Sequence, residues 1–282
     1  MLSYHDLLSR AIGVVTMKHC RHAPRALGLF LACLFFLHWS HGAELPKGRG
    51  AYVVSGSLAS PHATQAAAAD EQFVYAVSNT HVVQYDRASQ KELAKSTGPA
   101  EHLNSAFLWK GKVLCAHSNY PKKPHQSDIR ALDPRTMDLK VFHVFTDPPG
   151  SLTWAVRRGP HWWCHFAHYG KDHAKSVLVQ YDEQWKELGR WTYPKNLVAD
   201  WGNYSLSGGI WHEGDLLATG HDKQMIYRLK VPERGKEVIV LEVLSSPFPG
   251  QGIASDPKTG GLVGIDRAKR QILFASFRLE TK

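Results

Sequence analysis

The chain has 282 residues, of which 43% are hydrophobic and 21% are charged, so it can form a core and is not a disordered polymer. Its 34 Lys and Arg residues outnumber its 25 Asp and Glu residues, giving a formal charge of +9. Part of this excess lies in residues 1–42, and the remainder is spread along the chain without a long basic run. We therefore expect no nucleic-acid partner.

The N-terminal segment has the order of a secretory signal. Basic residues precede an apolar stretch at residues 26–37, and the small residues Ser40 and Gly42 follow it. Because this stretch is shorter than the roughly twenty residues that cross a bilayer, we predict a cleaved signal over residues 1–42, with translation starting at Met1 or Met17. An uncleaved anchor and a lipid-attached Cys33 are the alternatives. The mature chain, residues 43–282, is then expected in the periplasm or outside the cell, without a stable membrane span.

The remainder of the chain repeats one pattern of short β-branched and aromatic segments separated by Gly, Asp, Asn and Pro. One predicted strand recurs five times along the chain, each time after a turn that contains charge or glycine. The five strands are at residues 73–77, 113–117, 162–166, 216–220 and 262–266. A further strand follows each of these five, and these further strands end near residues 85, 132, 181, 229 and 277. This period of about 48 residues fits one four-stranded blade of a β-propeller. We predict an all-β chain with one propeller domain over residues 43–282, built from five blades and closed by an N-terminal strand at residues 51–58. A six-bladed ring is the alternative.

Cys115 and Cys164 occupy equivalent places in neighbouring predicted blades. Such places should lie farther apart than the roughly 7 Å between Cα atoms that a disulfide can span. We predict two free buried thiols, with a disulfide as the alternative.

Polar residues gather where the second strand of each copy ends. His117, His168 and His221 lie at matching positions and are followed or matched by Asp222 and Asp266. Histidine titrates near neutrality, so His117 and His221 are candidates for acid/base catalysis with an aspartate partner. The same three histidines are the candidate ligands of one divalent metal ion, and the alternative is no cofactor. Phosphate-binding and dinucleotide motifs are absent from the sequence.

Arg267 beside Asp266 could bind a substrate carboxylate through two parallel hydrogen bonds, or could form a structural ion pair. The predicted catalytic residues are His117, His221, Asp222 and Tyr204. The predicted substrate-binding residues are His102, Asn104, Asn119, Tyr120, Trp154, Ser207, Gln251, Asp266 and Arg267.

Six ordered motifs between Gln65 and Arg267 carry a family resemblance. They are HLNS, AHSNYP, GSLTW, YSLSGG, TGHD and GQGIA, at residues 102–105, 116–121, 150–154, 204–209, 219–222 and 250–254. Through them the chain resembles exported bacterial β-propeller proteins that are often labelled "cycloisomerase". The resemblance implies an isomerase, lyase or hydrolase that cyclises a carboxylated acid or opens a lactone without a redox cofactor.

Two function classes follow from these observations. In the first, an enzyme acts on a small carboxylated or cyclic substrate in the central channel of the propeller. His117 or His221 moves the proton, Tyr204 or Asn119 donates to the developing oxyanion, and Arg267 holds a carboxylate. In the second, the tryptophans form stacking platforms for a glycan, in a binding module or in a glycosidase that uses Asp222 and Asp266. A non-catalytic interaction scaffold is a further alternative. The expected partner is a small molecule, and the expected state is a monomer.

Overall fold

Short antiparallel strands make up nearly all of the regular structure between residues 44 and 280, which are the residues that the computed structural model describes. The predicted export signal, Met17 and Cys33 lie outside these residues. No helix within residues 44–280 is long and apolar enough to cross a membrane.

Twelve of the strands within residues 44–280 form three separate sheets in which neighbours in sequence are neighbours in space. The first sheet contains β2 (Ala66–Ala69), β3 (Phe73–Val77), β4 (Val82–Asp86) and β5 (Glu92–Lys95). The second contains β6 (Leu103–Trp109), β7 (Lys112–Ser118), β8 (Ser127–Asp133) and β9 (Asp138–Phe145). The third contains β10 (Ser151–Arg158), β11 (His161–Ala167), β12 (Val177–Tyr181) and β13 (Glu187–Trp191).

The other strands of residues 44–280 form one eight-stranded sheet. They are β1 (Lys47–Ala59), β14 (Gly208–His212), β15 (Asp215–Thr219), β16 (Met225–Lys230), β17 (Ile239–Ser245), β18 (Ala254–Ser255), β19 (Leu262–Asp266) and β20 (Gln271–Leu279). Their order is β14-β15-β16-β17-β1-β20-β19-β18, so two four-stranded groups meet where β17 and β1 run parallel. A 3₁₀ helix (Gly170–Lys175) and helix α1 (Lys195–Trp201) lie in the connections.

The all-β prediction is confirmed, and each predicted second strand lies within one residue of an observed strand. The predicted N-terminal strand is confirmed as well, because β1 pairs antiparallel with the last strand, β20, from Gly50 to Ala59. Strand pairing over such a distance in sequence closes the chain on itself and protects the edges of both strands.

Two turns explain how the sequence sets the hairpins. In Lys110-Gly111 and Glu213-Gly214 both residues have positive φ, of 48° and 73° in the first pair and 49° and 93° in the second. This is the backbone of a type I′ turn, whose twist matches that of the strands on either side.

The first strands of the groups pack closely around the centre. A Cβ at Gly252 would lie 2.9 Å from Ser105 Oγ and would also overlap Ala66, so only glycine fits there. Hydrogen bonds join neighbouring strand starts: Thr153 Oγ1 donates to the Leu206 carbonyl at 2.7 Å, and the Gly252 amide donates to the Gln65 carbonyl at 2.9 Å. These contacts hold the starts of neighbouring first strands close together.

Large aromatic residues form much of the core. Trp154 and Trp162 are almost fully buried, and Trp163, Trp191 and Trp201 are also buried. The prediction of two free buried thiols is confirmed for Cys115 and Cys164.

Candidate functional site

The polar residues singled out in the sequence lie at one end of the sheets. Because neighbouring strands are antiparallel, the segment leading into the first strand of each group and the loop between its second and third strands come to the same end. We call this end the mouth face. It carries Tyr204 and Gln251 from the lead-in segments, and His221 and Arg267 from the loops.

His221 and Tyr204 form the centre of the candidate site. Their rings are stacked, with centroids 4.0 Å apart and an interplanar angle of 9°. Tyr204 is 41% exposed, whereas His221 is half-buried. The stack covers one side of the imidazole, and Nδ1 is buried.

Each nitrogen of His221 faces a charged group. Arg267 Nη2 lies 3.4 Å from Nε2, and Asp222 Oδ2 lies 2.8 Å from Nδ1. A guanidinium can only donate, so Nε2 is the accepting nitrogen and Nδ1 carries the hydrogen. The approach of Asp222 to Nδ1 is a charge contact and not a hydrogen bond, because Nδ1 has no hydrogen-bond partner within residues 44–280. A carboxylate on that side stabilises the imidazolium that forms when Nε2 takes a proton.

The backbone of His221 is held by the loop before β18. Gln251 Nε2 donates to the His221 carbonyl at 2.9 Å, and the Gln251 amide donates to the Gly220 carbonyl at 3.1 Å. Gly250 has φ +79°, and a Cβ there would overlap the His221 carbonyl. Gln251 therefore holds the main chain of His221 in place. Gln251 was predicted to contact the substrate, but it is buried.

Arg267 differs from the other partly buried arginines. Arg87, Arg130 and Arg228 each form an ion pair with an aspartate at 2.6 Å, and Arg157 pairs with Glu183 at 2.8 Å. Among residues 44–280 no carboxylate forms an ion pair with Arg267, whose hydrogen-bonding contact is with His221. The neighbouring Asp266 is buried and accepts a hydrogen bond from the amide of Lys269 at 3.0 Å. Asp266 and Arg267 therefore do not form the structural ion pair that was one alternative from the sequence.

A second aromatic group lies on the mouth face. Tyr120 packs against His102, with ring centroids 5.3 Å apart, and against Tyr169 at 4.7 Å. Burial, followed by the electrostatic influence of His117 and Arg267, lowers the pKa of His102. His102 is therefore neutral at pH 7 and close enough to Arg267 to sense its charge.

His117 is fully engaged by protein. Its Nε2 accepts from the Glu101 amide at 3.0 Å, and its Nδ1 lies 2.9 Å from Asp128 Oδ2. An Nε2 that accepts and an Nδ1 that donates describe a neutral ring with no free nitrogen. Burial works against the ionised form of Asp128, but hydrogen bonds from His117 and Arg130 outweigh it and lower the pKa of this carboxyl. The predicted catalytic role of His117 would require these bonds to break.

The three candidate metal ligands do not come together. His168 donates from Nε2 to the Pro149 carbonyl at 2.6 Å, and its ring meets His125 edge to face at 5.5 Å. Within residues 44–280 no group of three or more His, Cys, Asp and Glu side chains is placed to hold a metal ion. The residues present therefore do not fit the predicted site of His117, His168 and His221.

Other predicted binding residues have structural contacts. Asn104 is buried and donates to the Leu152 carbonyl at 2.9 Å, which joins β6 to β10. Asn119 closes its own loop, donating to the Pro124 carbonyl at 2.9 Å and accepting from the Gln126 amide at 3.0 Å. The amide of Ser207 donates to the Thr219 carbonyl at 2.9 Å.

Trp154 lies in the core and not on the mouth face. It is 0% exposed, stacks on His165 with centroids 5.4 Å apart, and fills the space above Gly209. Its burial removes it from contact with a ligand at the surface, which differs from the predicted role in substrate binding.

One polar network was not singled out in the sequence. The buried His165 accepts from Tyr193 Oη at 2.6 Å and donates to Ser205 Oγ at 2.9 Å, and Ser205 donates to Ser176 Oγ at 2.9 Å. Burial, followed by the charge of His168, lowers the pKa of His165 to about 3. Ser205 lies within the YSLSGG motif, but no sequence spacing joins it to His165, Ser176 and Tyr193, because each comes from a different strand or loop.

No protein-family model and no curated protein matches the chain. Among solved structures, the crystal structure of Myxococcus xanthus glutaminyl cyclase is similar, with a TM-score of 0.57 and 9% identity over 85% of this chain and 100% of that one. The chain has a β-propeller-like all-β fold. A crystal structure of the mitotic checkpoint complex aligns with a TM-score of 0.44 and 8% identity, over 89% of this chain and 98% of that one.

Proposed function

We propose that this protein is an exported five-bladed propeller enzyme that binds a small carboxylated or cyclic substrate on its mouth face. The reaction is a cycloisomerisation or the related opening of a lactone. The observation that carries the proposal is Arg267, a half-buried guanidinium beside His221 Nε2 with no carboxylate partner within residues 44–280. The six motifs shared with the propellers labelled "cycloisomerase" favour the same class.

The strand order supports the proposal of five blades. Three sheets supply one blade each, and the eight-stranded sheet supplies two, β14 to β17 and β18 to β20 with β1. The N-terminal strand then serves as the outer strand of the last blade, as the repeat pattern predicts.

Arg267 supplies recognition in this proposal. A guanidinium binds a carboxylate through two parallel hydrogen bonds, each about twice as strong as a neutral one. His102 is kept neutral by burial and by the same positive surroundings, so the region favours an anionic ligand over a cationic one.

His221 supplies proton transfer. In lactone opening, Nε2 takes a proton from the carbon next to the substrate carboxylate, a carbon–carbon double bond forms, and the ring C–O bond breaks to release the second carboxylate. In the reverse direction a carboxylate oxygen adds to the double bond, and the imidazolium returns the proton. Asp222 stabilises the imidazolium, and Arg267 stabilises the charge that develops on the bound carboxylate.

The test is a screen in D₂O of unsaturated dicarboxylic acids and their γ-lactones, followed by proton NMR. Cyclisation of an unsaturated acid should place one deuterium on the carbon next to a carboxylate, and opening of a lactone should remove one proton from that carbon. His221→Gln should reduce the rate on the best substrate at least about 100-fold. His161→Gln is the matched control, because His161 begins β11 at the opposite end of its sheet and should leave the rate unchanged. A substrate turned over equally by wild type and His221→Gln would refute the assignment.

A further inference from the structure

A small cavity lies away from the mouth face, against the eight-stranded sheet. Its volume is about 290 Å³. Its lining residues come from the strands around the junction of β17 and β1 and from the turn after β14. The polar, charged and aromatic ones used below are Tyr52, His212, Glu213, Asp215, Arg228 and Phe277. No motif or proposed catalytic step uses these residues.

The cavity carries an excess of negative charge. Arg228 bridges two of its carboxylates, with Nε 2.6 Å from Asp215 Oδ2 and Nη1 2.7 Å from Glu242 Oε1. Glu213 is exposed in the turn between β14 and β15, and no basic side chain within residues 44–280 forms an ion pair with it. One guanidinium therefore faces three carboxylates, whereas Arg267 on the mouth face has no carboxylate partner within residues 44–280.

Tyr52 gives an independent indication of a ligand. It is only 7% exposed, it lines the cavity, and its hydroxyl has no hydrogen-bond partner among residues 44–280. The hydroxyl is not one of the fully buried, unpaired polar atoms of residues 44–280, so it remains accessible from the cavity and can bond a molecule there. Burial, followed by the charge of Glu213, raises the pKa of Tyr52 to about 12, so the phenol keeps its proton.

The wall beside Tyr52 is aromatic. Phe277 is 46% exposed and its ring lies 5.5 Å from that of Tyr52, at 60°. Aromatic faces attract ammonium and guanidinium groups through their quadrupole, and they also pack against the alkyl part of such a molecule.

His212 adds no opposing charge. Its Nδ1 lies 3.1 Å from Ser255 Oγ, and burial lowers its pKa despite the nearby Glu213. Because the imidazole is neutral, Arg228 is the positively charged group among the residues that line the cavity. Arg228 is already paired with two carboxylates.

We propose that this cavity binds a small organic cation, with its ammonium or guanidinium group between Glu213 and the Tyr52 hydroxyl and its alkyl part against Phe277. The phenol oxygen accepts one N–H of the ligand, and the Glu213 carboxylate accepts another. The volume is at the lower end of the roughly 300–1,000 Å³ of ordinary ligand pockets, so the ligand is of the size of a short alkylamine.

The test is a titration of the full chain with n-butylammonium, followed by saturation-transfer difference NMR, with 1-butanol as the uncharged match. We expect n-butylammonium to bind and 1-butanol to bind at least tenfold more weakly. Glu213→Gln should raise the Kd for the ammonium probe at least tenfold, and Tyr52→Phe should raise it about threefold to tenfold. Glu233→Gln, a change to an exposed acidic residue that does not line the cavity, should leave the Kd unchanged.

Equal binding of the ammonium probe and the alcohol would overturn the proposal, as would an unchanged Kd in Glu213→Gln. Glu213 is an exposed turn residue, so this variant tests charge without disturbing the core. Activity at the mouth face plays no part in the measurement, so the two proposals stand or fall separately.

Discussion

The imidazole of His221 lies flat against the phenol ring of Tyr204, with centroids 4.0 Å apart and planes at 9°. This contact fixes the plane of the imidazole, and with it the direction in which Nε2 points. Positioning of this kind matters because a displacement of about 1 Å can reduce a rate about 100-fold.

We predict that Tyr204→Phe keeps the stack and retains kcat within about threefold, whereas Tyr204→Ala lowers kcat at least about tenfold. The measurement is steady-state kinetics on the best substrate from the screen, with the pH profile recorded for both variants. A shifted profile in Tyr204→Ala only would show that the ring acts through His221. A tenfold loss in Tyr204→Phe would instead assign the hydroxyl to the oxyanion.

We predict that Arg267→Lys raises KM for a carboxylated substrate about tenfold to 100-fold, because a bidentate charged contact worth about 1.5–3 kcal/mol is lost. The uncharged amide of the same substrate should show the same KM with both proteins. Arg270→Lys is the control, because this exposed arginine lies in the same loop and contacts the Pro61 carbonyl instead. Equal KM values for wild type and Arg267→Lys would contradict the role in recognition.

We predict that Arg87→Met destabilises the fold by about 3–5 kcal/mol, because it leaves a buried aspartate unpaired. Arg87 binds Asp256 through two hydrogen bonds of 2.6 Å, and the Asp256 side chain is 0% exposed. Burial opposes ionisation of Asp256, but Arg87 and Thr259 outweigh it and lower the pKa of this carboxyl. Urea unfolding should show the loss, and the double variant Arg87→Met, Asp256→Asn should recover part of it.

We predict that His165 makes the fold less stable as the pH falls from about 6.5 towards 3. The unfolded His165 takes up a proton near its ordinary pKa of 6.5, whereas the buried side chain resists protonation until about 3. Below 6.5 the unfolded state therefore binds more protons, and the free energy of unfolding declines by about 1.4 kcal/mol per pH unit within this window. Urea titrations from pH 7 to pH 4 should show a weaker pH dependence in His165→Gln than in wild type. Parallel curves for the two proteins would contradict this prediction.

We predict that neither Cys115 nor Cys164 reacts with a thiol reagent in the native protein. Both are 0% exposed, and burial raises the pKa of Cys115 to about 12, so the reactive thiolate is scarce. The measurement uses a chain in which Cys20 and Cys33 are changed to serine. No thiol should react before denaturant is added and two should react afterwards.

Much of the fold was predictable from local patterns. The period of about 48 residues reflects the length of four short strands with their turns, and each unit is set by nearby residues such as Lys110-Gly111. The pairing of β1 with β20 was also predictable, because an unmatched strand at each end of the repeat region can be satisfied by the other.

The candidate site was predictable only as a set of positions. The spacing that brought His117, His168 and His221 to one end of the sheets says nothing about what each imidazole meets there. His117 is bound by Glu101 and Asp128, and His168 by Pro149, which leaves His221 facing Arg267.

The sequence by itself determined the strands, their repeat and the end of the molecule to which the histidines come, because these depend on contacts between near neighbours along the chain. The tertiary structure decided which histidine lies beside an arginine and which arginine lacks a carboxylate partner within residues 44–280. It also created the cavity at Tyr52, Glu213 and Phe277, three residues distant in sequence. Hydrogen bonds and ion pairs between distant segments form only when the sheets pack, so no local pattern encodes them.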